Sequence, residues 1–328
     1  MVIKRLGKSG LKVSSLCLGT MTFGSGADEG ESFKIMDNFF DRGYFFFDTA
    51  DIYNSGRTEE IVGKWIKERS RRDDIVLATK VYGRTGNRAN DAGLSRKHIK
   101  KALEQSLSRL GTDYIDLYQI HRWDYGSSFE ETLDTLSGLI DEGKVRYLGC
   151  SNLKAWQLSE YLHYAETSGN YPFVSIQPLY NALNRSIEAE VLDISQKYNL
   201  GVIPYNPLAG GMLTGKYRKG KEMPEKSRLK EMSFYQDRYY TEEALTIIEK
   251  FVAYAEKLKV TPAQLALAWV QADPRVTSPI IGARTVEQLS DTIKGAELNL
   301  SPEDRNEVPS VKPCSWVGKD PVYNREPE

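Results

Sequence analysis

The chain has 328 residues, long for one ordinary domain yet within the reach of a single large barrel, so length leaves one or two domains open. Its 44 Lys and Arg nearly balance 45 Asp and Glu, and a formal net charge of -1 excludes a summed field that would draw in nucleic acid or an anionic membrane surface. Cys17, Cys150 and Cys314 are odd in number and lack metal-ligand spacing, which points to a reduced protein without a zinc site rather than a disulfide framework. The opening MVIKRLGKSG has no apolar signal core, and no run approaches the ~20 apolar residues that span a bilayer, so a cytoplasmic protein is expected.

Short β-branched or aromatic runs alternate with segments of helical apolar spacing, the pattern of a parallel sheet with crossover helices. In chain order, MVIKRLGKSGLKVSS reads as a small hairpin ahead of the first barrel strand, capping the barrel floor. Strands are predicted at 15–18, 44–48, 75–80, 114–120, 147–150, 173–177, 201–205 and 279–281, and eight such runs suit a closed (β/α)8 TIM barrel. Helices are predicted at 31–42, 58–70, 95–110, 129–142, 154–167 and 188–198. Gly43, Gly111, Gly143 and Gly201 each follow a helical pattern and precede a strand, where a positive φ would close the helix. The charged stretch 216–238 reads as a long loop after the seventh barrel strand, and the proline-bearing tail after Ser301 as a surface segment folding back toward the barrel mouth. Neither resembles a linker, so residues 1–328 are expected to form one α/β domain.

Active sites of such barrels lie at the C-terminal strand ends. There the sequence places Asp48 with Tyr53 in the loop behind it, Lys80, His121, Ser151 with Asn152, and Gln177. Each has an ordinary explanation in isolation: a turn aspartate, a packed loop tyrosine, a snorkelling lysine, a structural histidine, helix-capping Ser and Asn. Together, at one end of successive strands, they are hard to explain as separate turns and caps. Reduction of a carbonyl requires a proton donor for the forming alkoxide, and a phenol near pKa 10 serves better when a cation such as Lys80 favours its phenolate. Asp48 is the obvious counter-charge for that lysine, and His121 is placed to donate to the carbonyl oxygen.

The runs DTADIYNSGRTEEIVG, ATK, IH, GCSN, QPLYN and PLAGGMLTGKY resemble the aldo-keto reductase superfamily over essentially the whole chain. That resemblance implies a tetrad at Asp48, Tyr53, Lys80 and His121 with Tyr53 as proton donor, no metal, and NADP(H) as hydride carrier. It places the nicotinamide amide against Ser151, Asn152 and Gln177, the ring on Tyr205, and the pyrophosphate over Pro207, Leu208 and Gly210 beside Lys216. In IIGARTVEQLSDT it assigns the adenosine end to Gly282, Arg284, Gln288 and Asp291, with Arg284 the candidate for a 2′-phosphate. Where the family often has Glu-Asn, this chain has Asp291 and Thr292, which leaves the adenine contact less defined.

Phe23, Arg122 and Trp123, with Tyr82 and Trp316, are the candidates for a substrate pocket, and the loop Arg122, Trp123, Asp124 follows His121 directly. The expected partner is a small carbonyl or alcohol substrate. A rival reading is an NADP(H)-binding sensor, because the resemblance extends to potassium-channel β subunits. The short stretch ahead of the first barrel strand favours the enzyme.

Overall fold

The computed structural model describes residues 2–220, 222–225 and 227–317. An antiparallel hairpin of β1 (Ile3–Arg5) and β2 (Lys12–Ser14) precedes eight parallel strands: β3 (Cys17–Gly19), β4 (Phe46–Asp48), β5 (Val76–Val81), β6 (Ile115–Ile120), β7 (Val145–Ser151), β8 (Phe173–Gln177), β9 (Gly201–Val202) and β10 (Ile280–Ile281). Pairing runs β10-β3-β4-β5-β6-β7-β8-β9, and a bridge between Tyr205 and Ile280 closes the ring. There the Ile280 amide donates to the Pro204 carbonyl at 2.8 Å. All eight strands expected from the sequence are present, in a (β/α)8 barrel with its N-terminal hairpin.

Around the barrel pack α1 (Glu29–Asp41), α2 (Arg57–Arg69), α3 (Arg96–Leu110), α4 (Phe129–Asp141), α5 (Ala155–Ser168) and α6 (Val191–Lys197). The short α7 (Arg228–Glu231) and α8 (Ser233–Tyr239) come next, then α9 (Glu242–Lys257), α10 (Pro262–Gln271), α11 (Val286–Lys294) and α12 (Pro302–Glu307). Local chemistry sets the helix ends. Ser95 and Ser128 accept from the amides of His98 and Glu131, and Thr261 with Gln264 builds a reciprocal capping box ahead of Pro262. Among the described residues no helix is long and apolar enough to cross a membrane.

Three of the four punctuating glycines do close helices with positive φ, namely Gly43, Gly111 and Gly143. Gly201 does not. Asn199 takes the left-handed conformation there, at φ 50°, and Gly201 opens β9 under the hairpin. A Cβ on Gly201 would lie 2.5 Å from Cδ1 of the buried Leu6, so the position demands closeness rather than an unusual φ. Gly7 likewise rests on backbone oxygens of Val174 and Asn199, which fixes the hairpin on the barrel floor.

Side chains alternate across each strand. Phe46, Val76, Ala78 and Leu117 join Leu6, Val13, Cys17 and Ile203 in an apolar core inside the barrel's lower half, whereas Phe47, Leu77 and Tyr118 face the helices. Two residues further along the same inward rows the side chains become Asp48, Lys80 and Gln119. The interior therefore changes from hydrocarbon to charge in one step of the pleat. Gly149 stands opposite Gln119 in the β6 and β7 register, and a Cβ there would approach Gln119 Cγ to 3.0 Å and Ser175 Oγ to 2.8 Å. Gly149→Val should cost about 1–3 kcal/mol by overpacking and displace Gln119. Urea unfolding checks the stability, and an unchanged midpoint would contradict this tight fit.

Candidate active site

The inward charged residues of adjacent strands meet just above the apolar core. Lys80 Nζ donates to Asp48 Oδ2 at 2.5 Å, to the Thr49 carbonyl at 2.8 Å and to the Tyr53 hydroxyl at 3.3 Å. Lys80 is 0% and Asp48 2% exposed. The second carboxylate oxygen, Asp48 Oδ1, accepts from Gln119 Nε2 at 3.0 Å and Gln177 Nε2 at 2.8 Å. An ammonium buried this deeply is tolerable only because all three of its protons find oxygen and one oxygen is anionic.

Tyr53 begins a tight turn, Tyr53–Gly56, whose Asn54 and Ser55 both have positive φ. Asn54 Nδ2 anchors it by donating to the Phe23 carbonyl at 2.7 Å and to Thr58 Oγ1 at 3.2 Å. At the far end Gly56 lies against Arg109, where a Cβ would fall 2.9 Å from Cδ. Arg109 is held in turn by the fully buried Glu59, whose other oxygen accepts from Thr79 beside Lys80 at 2.6 Å. One carboxylate thus ties the tyrosine's turn to the lysine's strand. Asp51, buried two residues ahead of this turn, has its pKa pushed up to about 8 by burial and by the charge of Glu59.

His121 faces Tyr53 edge to face, with ring centroids 6.0 Å apart. Burial, reinforced by the charges of Lys80 and Arg122, drives its pKa well below the ordinary 6.5, so the imidazole is neutral at neutral pH. Burial also raises the Tyr53 phenol above 10, with Lys80 opposing the shift and Asp48 adding to it. The sequence reading expects the lysine to favour phenolate; desolvation outweighs it, and the hydroxyl stays protonated at neutral pH. Lys80 itself is lowered by burial but carried above 10.5 by Asp48 and Tyr53, which keeps it an ammonium.

These groups open into a cavity of about 510 Å³ at the C-terminal strand ends. Ser151, Asn152, Gln177, Tyr205, Pro207, Leu208, Gly210, Lys216, Gly282, Arg284, Gln288 and Asp291 all line it. Asn152, at φ 56°, donates to the His121 carbonyl and accepts from the Tyr205 hydroxyl at 2.9 Å, which links barrel strands four, five and seven. Ser151 Oγ donates to the Gln177 carbonyl at 2.7 Å. Asp291 is held by Thr261 Oγ1 and Gln264 Nε2. Arg284 is not free, because its guanidinium forks onto the carboxylate of Glu231 in α7.

Arg122 lines the cavity, but Phe23 and Trp123 do not. Phe23 is 0% exposed in the core and serves through its carbonyl as the anchor for Asn54. Trp123 turns outward into an aromatic cluster, with ring centroids 5.3 Å from Trp156 and 5.5 Å from Tyr161. Trp316 is also outside the lining; its indole donates to the Arg238 carbonyl, and the tail lies along the segment after β8 through Val311 and Val317 amides.

The family model of the aldo/keto reductases matches residues 15–312. The chain belongs to the aldo/keto reductase family. An uncharacterized oxidoreductase of Bacillus subtilis, YrpG, is 42% identical over 307 residues, covering 91% of this chain and 92% of its own. A probable voltage-gated potassium channel subunit beta of Arabidopsis thaliana is 39% identical over 303 residues, with the same coverages. A putative aryl-alcohol dehydrogenase of Schizosaccharomyces pombe is 38% identical over 329 residues, again covering 91% of this chain and 92% of its own. This aldo/keto reductase is therefore a member of an oxidoreductase family.

Several residues of the reductase's site escape sequence reasoning. Gln119 sits mid-pattern in a strand, and only its register against Lys80 shows that it faces inward to Asp48. Glu231, Phe234, Tyr235 and Arg238 come from the stretch read as a loop, whose short α7 and α8 place Phe234, Tyr235 and Arg238 on the cavity. Removing one partner of the Lys80 and Asp48 pair, as in Asp48→Leu, should cost about 3–5 kcal/mol, and the double change Asp48→Leu with Lys80→Met markedly less. Chemical unfolding of the three proteins decides it; a double variant less stable than the single would contradict the buried-charge account.

Proposed function

We propose that this aldo/keto reductase reduces an aldehyde or ketone to an alcohol with NADPH, using Tyr53 as proton donor. The observation that carries this reading is the Tyr53 hydroxyl, protonated by burial, 3.3 Å from a buried ammonium and facing a neutral imidazole across the cavity. Bound NADPH supplies the hydride for the carbonyl carbon. Tyr53 gives its proton to the carbonyl oxygen, and Lys80, locked by Asp48, compensates the phenolate left behind. Neutral His121 offers an N–H to the same oxygen and orients it. In the reverse direction the phenolate is the base.

The lining fits such a cofactor. Lys216 is exposed on the cavity rim, and its pKa is lowered by partial desolvation and then by the nearby charges of Arg284 and Arg228, a crowding of cations that an anionic phosphate would relieve. Gly210 and Gly211 both have positive φ, and a Cβ on Gly210 would lie 2.6 Å from the ring of Tyr235, so the backbone is bare where a pyrophosphate would approach. Ser151, Asn152, Gln177 and Tyr205 would hold the nicotinamide, although Gln177 Nε2 is already engaged by Asp48 and leaves its carbonyl oxygen as the available group. At the adenosine end, Gly282, Gln288 and Asp291 line the wall, and a 2′-phosphate would take Arg284 in exchange for Glu231.

Tyr53→Phe should lower kcat by about 10²-fold or more while NADPH still binds. The pH profile of reduction should lack a limb at the ordinary histidine value of 6.5 and fall only on the alkaline side, above pH 10, as the raised phenol ionises. Steady-state assays on a panel of aldehydes measure both; substantial reductase activity in Tyr53→Phe would remove the assigned donor. NADPH binding with negligible turnover across the panel would favour the sensor reading, for which the similarity to a channel β subunit speaks. Arg284→Ala should weaken NADPH more than NADH, and equal losses by fluorescence titration would exclude the 2′-phosphate contact.

A further inference from the structure

Resting on the carbonyl-reductase reading, we infer that this chain selects carbonyl substrates that carry a carboxylate, and that Arg122 is the residue that recognises it. Apart from Arg238, which lies against the rings of Phe234 and Tyr235, two cationic poles flank the cavity. One comprises Lys216, Arg228 and Arg284, at and after the ends of the seventh and eighth barrel strands, where the cofactor's phosphates are assigned. The other is Arg122, at the end of the fourth strand, next to His121 and over the ring of Tyr82, its Cζ 5.1 Å from the ring centroid. A dinucleotide whose phosphates occupy the first pole leaves the second to the substrate.

Arg122 is built into the wall, and among the described residues no acid pairs with it. Its Nε is fully buried without an acceptor, and among the described residues no carboxylate lies within 4.0 Å of its guanidinium. Arg284, by comparison, is forked onto Glu231, and Arg109 onto Glu59. The Nε is sealed from the cavity, so it is the rest of the guanidinium, on the cavity wall without a hydrogen-bonding partner among the described residues, that an incoming anion would meet. The planar fork of a single guanidinium matches the two oxygens of one carboxylate. The cation–π contact with Tyr82 holds the guanidinium in place without consuming an N–H. Because Arg122 also borders His121, whose pKa its charge depresses, a substrate anion on Arg122 would hold the carbonyl end close to the imidazole.

The competing role for Arg122 is electrostatic tuning of His121 alone, which would affect charged and neutral substrates alike. The experiment therefore uses a matched pair, 4-carboxybenzaldehyde and its neutral isostere 4-formylbenzamide, with the full chain and saturating NADPH. The wild type should prefer the carboxylate in kcat/KM by ~10-fold or more, mainly through KM, and Arg122→Met should abolish that preference. Arg122→Lys, which keeps charge but loses the fork, should retain part of it. In parallel, calorimetry on the NADP+-loaded protein compares 4-(hydroxymethyl)benzoate with 4-(hydroxymethyl)benzamide, and the carboxylate should bind more tightly in the wild type alone. No preference in the wild type, or the same preference in Arg122→Met, would overturn the carboxylate site. Preferential carboxylate binding without turnover of either aldehyde would support that site and overturn the reductase reading instead.

Discussion

The structure depends on one costly act, placing the ammonium of Lys80 inside the barrel with no access to water. That charge must be paired and its protons satisfied, and the surrounding sequence is organised to do so. Asp48 answers it from the neighbouring strand, Thr49 offers a carbonyl, and Gln119 and Gln177 hold the far oxygen of Asp48. Gly149 is bare because Gln119 needs its space. The phenol of Tyr53 is a further oxygen within reach, so the same constraint that keeps the lysine stable also brings to it the hydroxyl proposed as proton donor. Four strands are thereby committed to positions by one electrostatic requirement.

Burial sets the protonation states as strongly as the charges do. Desolvation raises Tyr53 and lowers His121, and both shifts favour neutral groups at the place where a carbonyl oxygen would sit. A neutral phenol and a neutral imidazole can each donate a hydrogen bond there, and neither brings a competing charge near the oxygen. On the proposed mechanism Lys80 would act after proton transfer more than before it: its interaction with phenolate would grow as the proton leaves, the kind of differential stabilisation that accelerates a step. Sequence alone assigns the lysine the larger part in the ground state, because composition and spacing carry no measure of desolvation.

What the sequence made legible divides along the same line. Strands were readable because the inward rows switch from Phe46 or Val76 to Asp48 or Lys80 with a period of two, and a charge at the end of an apolar run is conspicuous. The glycines after helices were readable as helix ends at Gly43, Gly111 and Gly143, but Gly201 answers to the packing of Leu6, a contact nearly two hundred residues away in the chain. Phe23 and Trp123 sit near strand ends, which is all a linear pattern reports; which way a ring turns is decided by neighbours such as Trp156 and Tyr161 that approach from another helix. The helices α9 and α10 lie in a part of the chain for which no helix is predicted, and α7 and α8 in a stretch whose Lys, Arg and Glu content resembles solvated loop. That charge is in part directed at the cavity, as Arg228 and the buried Arg238 on its wall demonstrate.

A net charge of -1 conceals a strongly polarised mouth. Lys216, Arg228, Arg238, Arg284 and Arg122 all reach the cavity, while its acids are engaged: Asp48 by Lys80, Asp291 by Thr261 and Gln264, and Glu231, behind the rim, by Arg284. Low-dielectric walls concentrate such a local excess where summed charge would predict none. Arg284 gains an acid only because α7 approaches the end of β10, so an anion arriving at that site competes with a carboxylate for the same fork. The position of α7 and the proposed phosphate site would therefore be coupled through a single guanidinium: whatever displaces Glu231 from Arg284 also releases one of the contacts holding α7 against the barrel.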